Sequence, residues 1–413
     1  MKTRLATGLG WLFVSCLAVA AFFSLRSGVR GALTSSESFQ WAGSYLVRSN
    51  VDPWQQASQN HGSPMLHLGS LNYLHELYIF LMPLSTLSFQ HAAALWCFLS
   101  IALSIASIYL LERMFALPRV LSLSILFLLW MSDPFRTTLQ MGQIGILELF
   151  ILCVVFSTKN STLRGIALGV SFSAYNFAPV TVSLLWFRRN IRTLVIAATV
   201  PIFGLVMTWG MLGGSLRELA FEPFSNAAGN APSGMADLTS CITAALASWL
   251  PGMSFTGVLA HGFGLMVAAI YGYYLNQFRL TLGAQLTLVA VASLFTTPHP
   301  MYDYVFLVIP LCYAASKRGA TLRYVAVPMI GGFWFMQELF AQLPTDASRK
   351  AFPFFALAAA TCLLGALVTY LTWAMIRIES TYDRRQHPRG QSDRRSYSQP
   401  QLVDLVESPL GSI

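Results

Sequence analysis

A chain of 413 residues, 55% of them hydrophobic and only 10% charged, with a mean hydropathy of +0.57, lies far from the soluble average of roughly 25% charged residues. A soluble globular domain is excluded, and an all-α polytopic membrane protein remains. The net charge of +9 is spread over short loops and the C-terminal tail, with no basic stripe that tracks a nucleic-acid backbone. It reads as membrane orientation, and no nucleic-acid partner is expected.

In chain order, the start "MKTRLATGLGWLFVSCLAVAAFF" has the basic lead and apolar run of a signal peptide. Further spans follow and no small-x-small cleavage site is evident, so an uncleaved first helix is expected. A span needs about 20 apolar residues, and fewer where a helix is broken inside protein. On that criterion the candidates are 8–25, 91–111, 119–132, 139–157, 193–212, 253–275, 281–296, 302–316, 321–339 and 353–376. Six scattered cysteines (Cys16, Cys97, Cys153, Cys241, Cys312, Cys362) show no CxxC spacing, which argues against a disulfide framework or a zinc site.

Orientation follows from lysine and arginine in short loops, which stay cytoplasmic. Lys2 and Arg4, Arg113 and Arg119, Lys159 and Arg164, Lys317, Arg318 and Arg323, and Arg377 with the tail all fall inside. Were "RGIALGVSFSAYNFAPVTVSLLWFRRNIR" a single span, Arg188, Arg189 and Arg192 would face outside. The conflict disappears if it is two short helices that rise and return, broken between Tyr175 and Pro179, where proline cannot continue the ladder. About twelve hydrophobic helices result, with both chain ends inside. Residues 1–376 then form one transmembrane domain with a long first outer loop over 27–90, and 377–413 form a basic, disordered cytoplasmic tail. Its six arginines suit anionic lipid headgroups or plain solvation equally.

This topology puts nearly every unusual polar group on the outer face. The first loop carries "SSESFQWAGSYLVRSNVDPWQQ" and "LNYLHELYIFLMPL", whose aromatic and apolar residues alternate with polar ones as in helices lying in a membrane interface. It holds Glu37, Asp52 and Glu76 with His61, His67 and His75, which also fit a solvated loop. Next, "SDPFRTTLQMGQIGILELF" places Asp133 and Arg136 before Gln140, Gly142 and Gln143. Glutamine at a helix mouth hydrogen-bonds a sugar hydroxyl or phosphate, and glycine lets the ligand approach; close helix packing explains the same residues. Glu148 lies further into an apolar run, where an ionisable group is functional or paired. In "TTPHPMYDYVFLVIP" the prolines make a turn at the outer surface. There His299, oriented by Asp303, suits a phosphate ligand or proton carrier, or Asp303 simply caps a helix.

Four of these segments carry a family resemblance. "PFRTTLQMGQIGILEL" resembles the "P…GQxN" signature of glycosyltransferase family 87, with Gly145 where the family has asparagine. "ESFQWAGSYLVRSNVDPW" resembles the family's acidic segment ending in "G-x-D-P-Y". "GIALGVSFSAYNFAP" resembles its "G-x-x-x-G…K-x-x-P" break, with Asn176 in place of lysine, and "TTPHPMYDYVFLVIP" resembles its late "SPH…YDxxLL". The order of all four agrees, from about residue 30 to 316.

The resemblance implies a GT-C-like bundle of about ten to twelve transmembrane helices in the plasma membrane, with its active site outside. It implies inverting transfer of a hexose, typically mannose, from a polyprenyl phosphate sugar to a glycolipid or glycan acceptor of the cell envelope. The lipid-linked sugar is a substrate, and no cofactor or metal is called for. The family's base aspartate corresponds to Glu37, with Asp52 as the second candidate. Arg136, Gln140, Gln143, Asn176, His299 and Asp303 are the donor- and phosphate-binding candidates, and with asparagine at 176 the positive charge falls to Arg136 or His299. A flippase for a lipid-linked saccharide and an envelope polysaccharide polymerase are the alternatives. The former would show symmetry-related broken helices, and the latter usually has its largest outer loop in the second half of the chain.

Overall fold

The computed structural model of the protein describes residues 2–35, 40–59, 73–174, 177–229, 256–297, 299, 301–335 and 361–379, and every regular element among them is helical. Glu37, Tyr175, Asn176 and the tail beyond Glu379 lie outside the described residues.

The first helix, α1 (Lys2–Ser35), is longer than its apolar run. The first loop contributes α2 (Trp41–Arg48), α3 (Pro53–Gln59) and α4 (His75–Leu81). Then come α5 (Phe89–Phe115), α6 (Arg119–Met131), α7 (Asp133–Met141) and α8 (Gly145–Ser157). The segment expected to rise and return forms α9 (Ser161–Ser171), a 3-10 turn over Phe172–Ala174 and α10 (Ala178–Phe187). Next are α11 (Ile191–Leu212), α12 (Leu216–Gly229), α13 (Thr256–Asn276) and α14 (Leu282–Thr296). A 3-10 segment over Met301–Leu307 leads into α15 (Val308–Ala315), followed by α16 (Arg323–Trp334) and α17 (Thr361–Glu379).

Among the described residues, four helices are long and apolar enough to cross a membrane singly: α1, α5, α11 and α17. The others are shorter because polar joints interrupt them. Where 119–132 and 139–157 read as two spans, the chain makes α6, α7 and α8. Ser132 caps α7 by accepting from the Phe135 amide, and Pro134 at the start of α7 cannot donate to α6, so the two axes bend by 59°. Gly142, in the left-handed region at φ 61°, ends α7 and permits the turn into α8.

The core is built on α14, the 3-10 segment and α15, where Tyr304 through Ile309 are all fully buried. Around them, α1, α11 and α13 leave Leu12, Phe13, Phe22, Phe23, Ile202, Phe203 and Ile270 exposed, an apolar outer surface suited to lipid. Close backbone approach clamps the re-entrant helix. A Cβ on Gly165 of α9 would lie 2.7 Å from Ile196 Cβ, and one on Gly169 2.5 Å from Val200 Cγ2, so this G-x-x-x-G stripe seats directly on α11.

Arg119, Arg164, Arg188 and Arg318 gather at one end of the bundle. Arg119 pairs with Glu112 at 2.9 Å, and nearby Phe115 packs on Tyr313, whose hydroxyl reaches Glu379. Glu379 also accepts from Thr281 at 3.0 Å and lies 3.7 Å from Arg318, which keeps α17 helical three residues past the expected start of the tail at 377. Arg188 donates to Gln285, and Arg164 donates to the carbonyls of Val155 and Thr158 that end α8. Arg164 and Arg188 line one small cavity with Asn190 and Leu282, so α9 leaves from and α10 returns to this same end. The opposite end, about 20 Å away along α14, holds the α7–α8 joint, the 172–174 turn and His299.

Candidate active site

Three breaks in helical regularity meet at that end, and each exposes groups that an unbroken helix would bury in its own ladder. The turn after α14 places His299, which is 0% exposed, and Asp303, which is 3% exposed, inside the bundle. Its location at a joint between short helices agrees with the sequence. Its side chains are buried because α7 and α8 fold over the turn. Thr138 of α7 donates to the Pro134 carbonyl and reaches the Tyr302 carbonyl at 3.2 Å, and Gly145 opens α8 so close to Asp303 that a Cβ there would lie 3.3 Å from Oδ1.

His299 Nδ1 lies 2.9 Å from Asp303 Oδ2, and its Nε2 lies 3.0 Å from Thr297 Oγ1. Thr297 itself donates to the Ser293 carbonyl at 2.9 Å. With its own proton on the Ser293 carbonyl, Thr297 accepts from Nε2 of the ring, and Nδ1 faces the Asp303 carboxyl. The Phe177 ring packs on His299 at 4.4 Å and on Phe306 at 4.2 Å, fixing the imidazole plane. The other oxygen of Asp303 sits over the first residue of α8, where a helix dipole favours negative charge.

The remaining predicted residues divide. Gln143 is buried beside this pair's helix joint, and its Oε1 accepts from the Tyr73 hydroxyl at 2.6 Å, tying the first loop to the α7–α8 corner. Arg136 is partly exposed and donates to Asp133 at 2.6 Å, so its charge is held at the start of α7. Gln140 points elsewhere: it packs against Gly31 of α1, where an added Cβ would lie 2.5 Å from its Cγ. Asp52 stands apart from His299. It caps α3, accepting from the amides of Trp54 at 2.9 Å and Gln55 at 3.0 Å, and it faces His75 and Glu222. His75 packs against Trp54 with ring centroids 4.6 Å apart and donates from Nε2 to the Leu219 carbonyl; burial lowers its pKa to about 4. Burial and the neighbouring Asp52 carboxylate raise Glu222 to about 7.

Two carboxylates outside the predicted set complete the region. Glu148 of α8 is 1% exposed, and Ser173 of the 172–174 turn lies 3.4 Å from its Oε1 while donating more closely to Val170. Glu76 of α4 is 7% exposed, and burial raises its pKa to about 7. Glu148 lies within electrostatic reach of both Asp303 and Glu76. A carboxylate inside "GILELFILCVVF" is visible in the sequence; that it meets Glu76 is not.

The site joins a histidine–aspartate pair, a glutamine and buried carboxylates at one end of a bundle of apolar helices. The profile of glycosyltransferase family 87 matches residues 77–298, from α4 to the turn that carries His299. The match spans more than half of the chain, and the protein belongs to that family: it is a membrane glycosyltransferase, with a sugar donor, an acceptor and lipid as its partners. No curated protein and no solved structure matches the chain.

Proposed function

We propose that this protein is a GT-C-type hexosyltransferase of the plasma membrane. It moves a hexose, mannose in the first instance, from a polyprenyl phosphate to a glycolipid or glycan acceptor on the outer side. The observation that carries this reading is the buried His299–Asp303 pair set against the start of α8 beside Gln143. Such a pair, closed off from bulk water, is suited to a lipid phosphate, because an oriented imidazole N–H donor in a low-dielectric site stabilises the charge that develops as the phosphate departs. The end of the bundle remote from Arg119, Arg164, Arg188 and Arg318 is the outer one under the positive-inside rule, which is where the acceptor would be met.

In this reading the acceptor hydroxyl attacks the anomeric carbon from the face opposite the phosphate. Its proton passes to a carboxylate, and the bond from carbon to phosphate oxygen breaks with its electrons going to the polyprenyl phosphate. Glu37 is the proposed base. Asp52 is the second candidate, and its capping of α3 already engages one of its oxygens. His299, oriented by Asp303, and Arg136 stabilise the departing phosphate, and Gln140, Gln143 and Asn176 position the donor. Replacing Glu37 by Gln is expected to abolish sugar transfer in isolated membranes at unchanged expression. Retained transfer would remove Glu37 from the role and pass the test to Asp52→Asn.

A further inference from the structure

Glu76 and Glu148 belong to different helices, and the fold brings them within electrostatic reach of each other. The Leu74 amide donates to the Ser173 carbonyl at 3.2 Å, which fixes the start of α4 against the 172–174 turn, and Ser173 in turn touches Glu148. From the other side Gly204 of α11 presses on α4 so closely that a Cβ there would lie 2.5 Å from the Glu76 amide nitrogen. Both carboxylates are more than nine-tenths buried. Among the described residues, neither oxygen of Glu76 nor Oε2 of Glu148 has a hydrogen-bond donor. Three buried acceptor oxygens without donors carry an uncompensated desolvation penalty, so the pair is built for a group that brings donors with it.

The chemistry of that group is narrow. An apolar chain would leave the oxygens unmet, and a phosphate brings acceptor oxygens rather than donors. Among the described residues, no three side chains gather here as ligands for a metal ion. A sugar ring is neutral and dense in hydroxyl donors, and it sits one bond from the phosphate in the proposed donor. We propose that Glu76 and Glu148 form a hydroxyl-binding subsite for a sugar, with their free oxygens accepting from ring hydroxyls, while His299 and Arg136 face the phosphate. The proposal rests on the glycosyl-transfer reading for the kind of ligand. The same hydroxyl chemistry is offered by the donor sugar and by the acceptor sugar.

The test reads occupancy rather than turnover. Purified protein is treated with dicyclohexylcarbodiimide, which modifies protonated buried carboxyls, at a pH below 7, where Glu76 carries its proton. Mass spectrometry then measures the adduct at Glu76 with polyprenyl phosphate mannose, polyprenyl phosphate or octyl mannoside present. A sugar-bearing compound at about ten times its dissociation constant lowers the adduct about tenfold. Protection by the lipid-linked sugar alone assigns the pair to the donor; protection by octyl mannoside as well assigns it to the acceptor. Equal protection by polyprenyl phosphate without sugar, or none from either sugar compound, overturns the proposal. Glu148→Gln keeps the shape of the site and is expected to raise the half-protecting concentration about tenfold; an unchanged value also overturns it. Protection without any sugar transfer would leave this subsite standing and remove the transferase mechanism, so the two failures are distinguishable.

Discussion

His299 Nδ1, in the turn after α14, and Asp303 Oδ2, in the 3-10 segment that follows, are 2.9 Å apart, and both side chains are buried. An aspartate in that position fixes the ring, so the imidazole meets a ligand already oriented.

With the donor phosphate bound by this pair, His299→Ala is expected to lower kcat/KM for polyprenyl phosphate mannose by roughly a hundredfold, the usual effect of removing one preorganised donor. Asp303→Asn keeps the volume and loses the charge, so a fall of about tenfold is expected. Steady-state kinetics on purified variants checks both, and unchanged values would separate the pair from catalysis.

The neighbours His75 and Glu76 titrate in opposite senses. Burial lowers His75 from 6.5 to about 4, so its contribution to stability is present above pH 6.5 and is lost as pH falls toward 4. Burial raises Glu76 from 4.5 to about 7, so its contribution is present below pH 4.5 and is lost as pH rises through 7. Between 4.5 and 6.5 these two slopes cancel, and Glu222, raised likewise to about 7, leaves a net fall in stability with rising pH. Glu76→Gln should therefore remove most of that fall and leave a melting temperature nearly flat across the window, a difference of at most about 3 kcal/mol of stability from the parent. Thermal melts at a series of pH values provide the check, and a variant that falls as steeply as the parent would contradict the assignment.

Gly165→Ala and Gly169→Ala should each destabilise the protein by about 1–3 kcal/mol, since the new methyl has no room against α11. Gly8→Ala in α1, where nothing lies within 4 Å, is the control and should be neutral or slightly stabilising. Melting in detergent distinguishes them.

That clamp shows what the sequence carried. The arginines at 188, 189 and 192 and the proline at 179 are local signals, and they located the rise and return of α9 and α10 and the break between them. The turn at His299 was legible for the same reason. Its burial was not, because that depends on α7 bending by 59° and laying Thr138 and Gly145 over it. Gln140 and Gln143 look alike in sequence, yet the left-handed turn at Gly142 sends one toward α1 and the other inward. The meeting of Glu76 with Glu148 has no local signature at all, since it is made by packing among α4, α8, α11 and the 172–174 turn.

Tyr73 and Gln143 should behave as a coupled pair. Their 2.6 Å bond links the first loop to the α7–α8 corner, so Tyr73→Phe and Gln143→Ala together should cost less than the sum of each alone, by about 1 kcal/mol. A double-mutant cycle by chemical denaturation measures the coupling, and strict additivity would mean that the bond contributes nothing.

The most direct test of the whole account is to incubate purified protein, reconstituted in lipid with an acceptor glycolipid extract, with labelled polyprenyl phosphate hexoses. The account predicts consumption of at least one of them, mannose first, with release of polyprenyl phosphate and a product of inverted anomeric configuration. If no such donor is consumed, the assignment of the His299 site to a lipid phosphate sugar is contradicted.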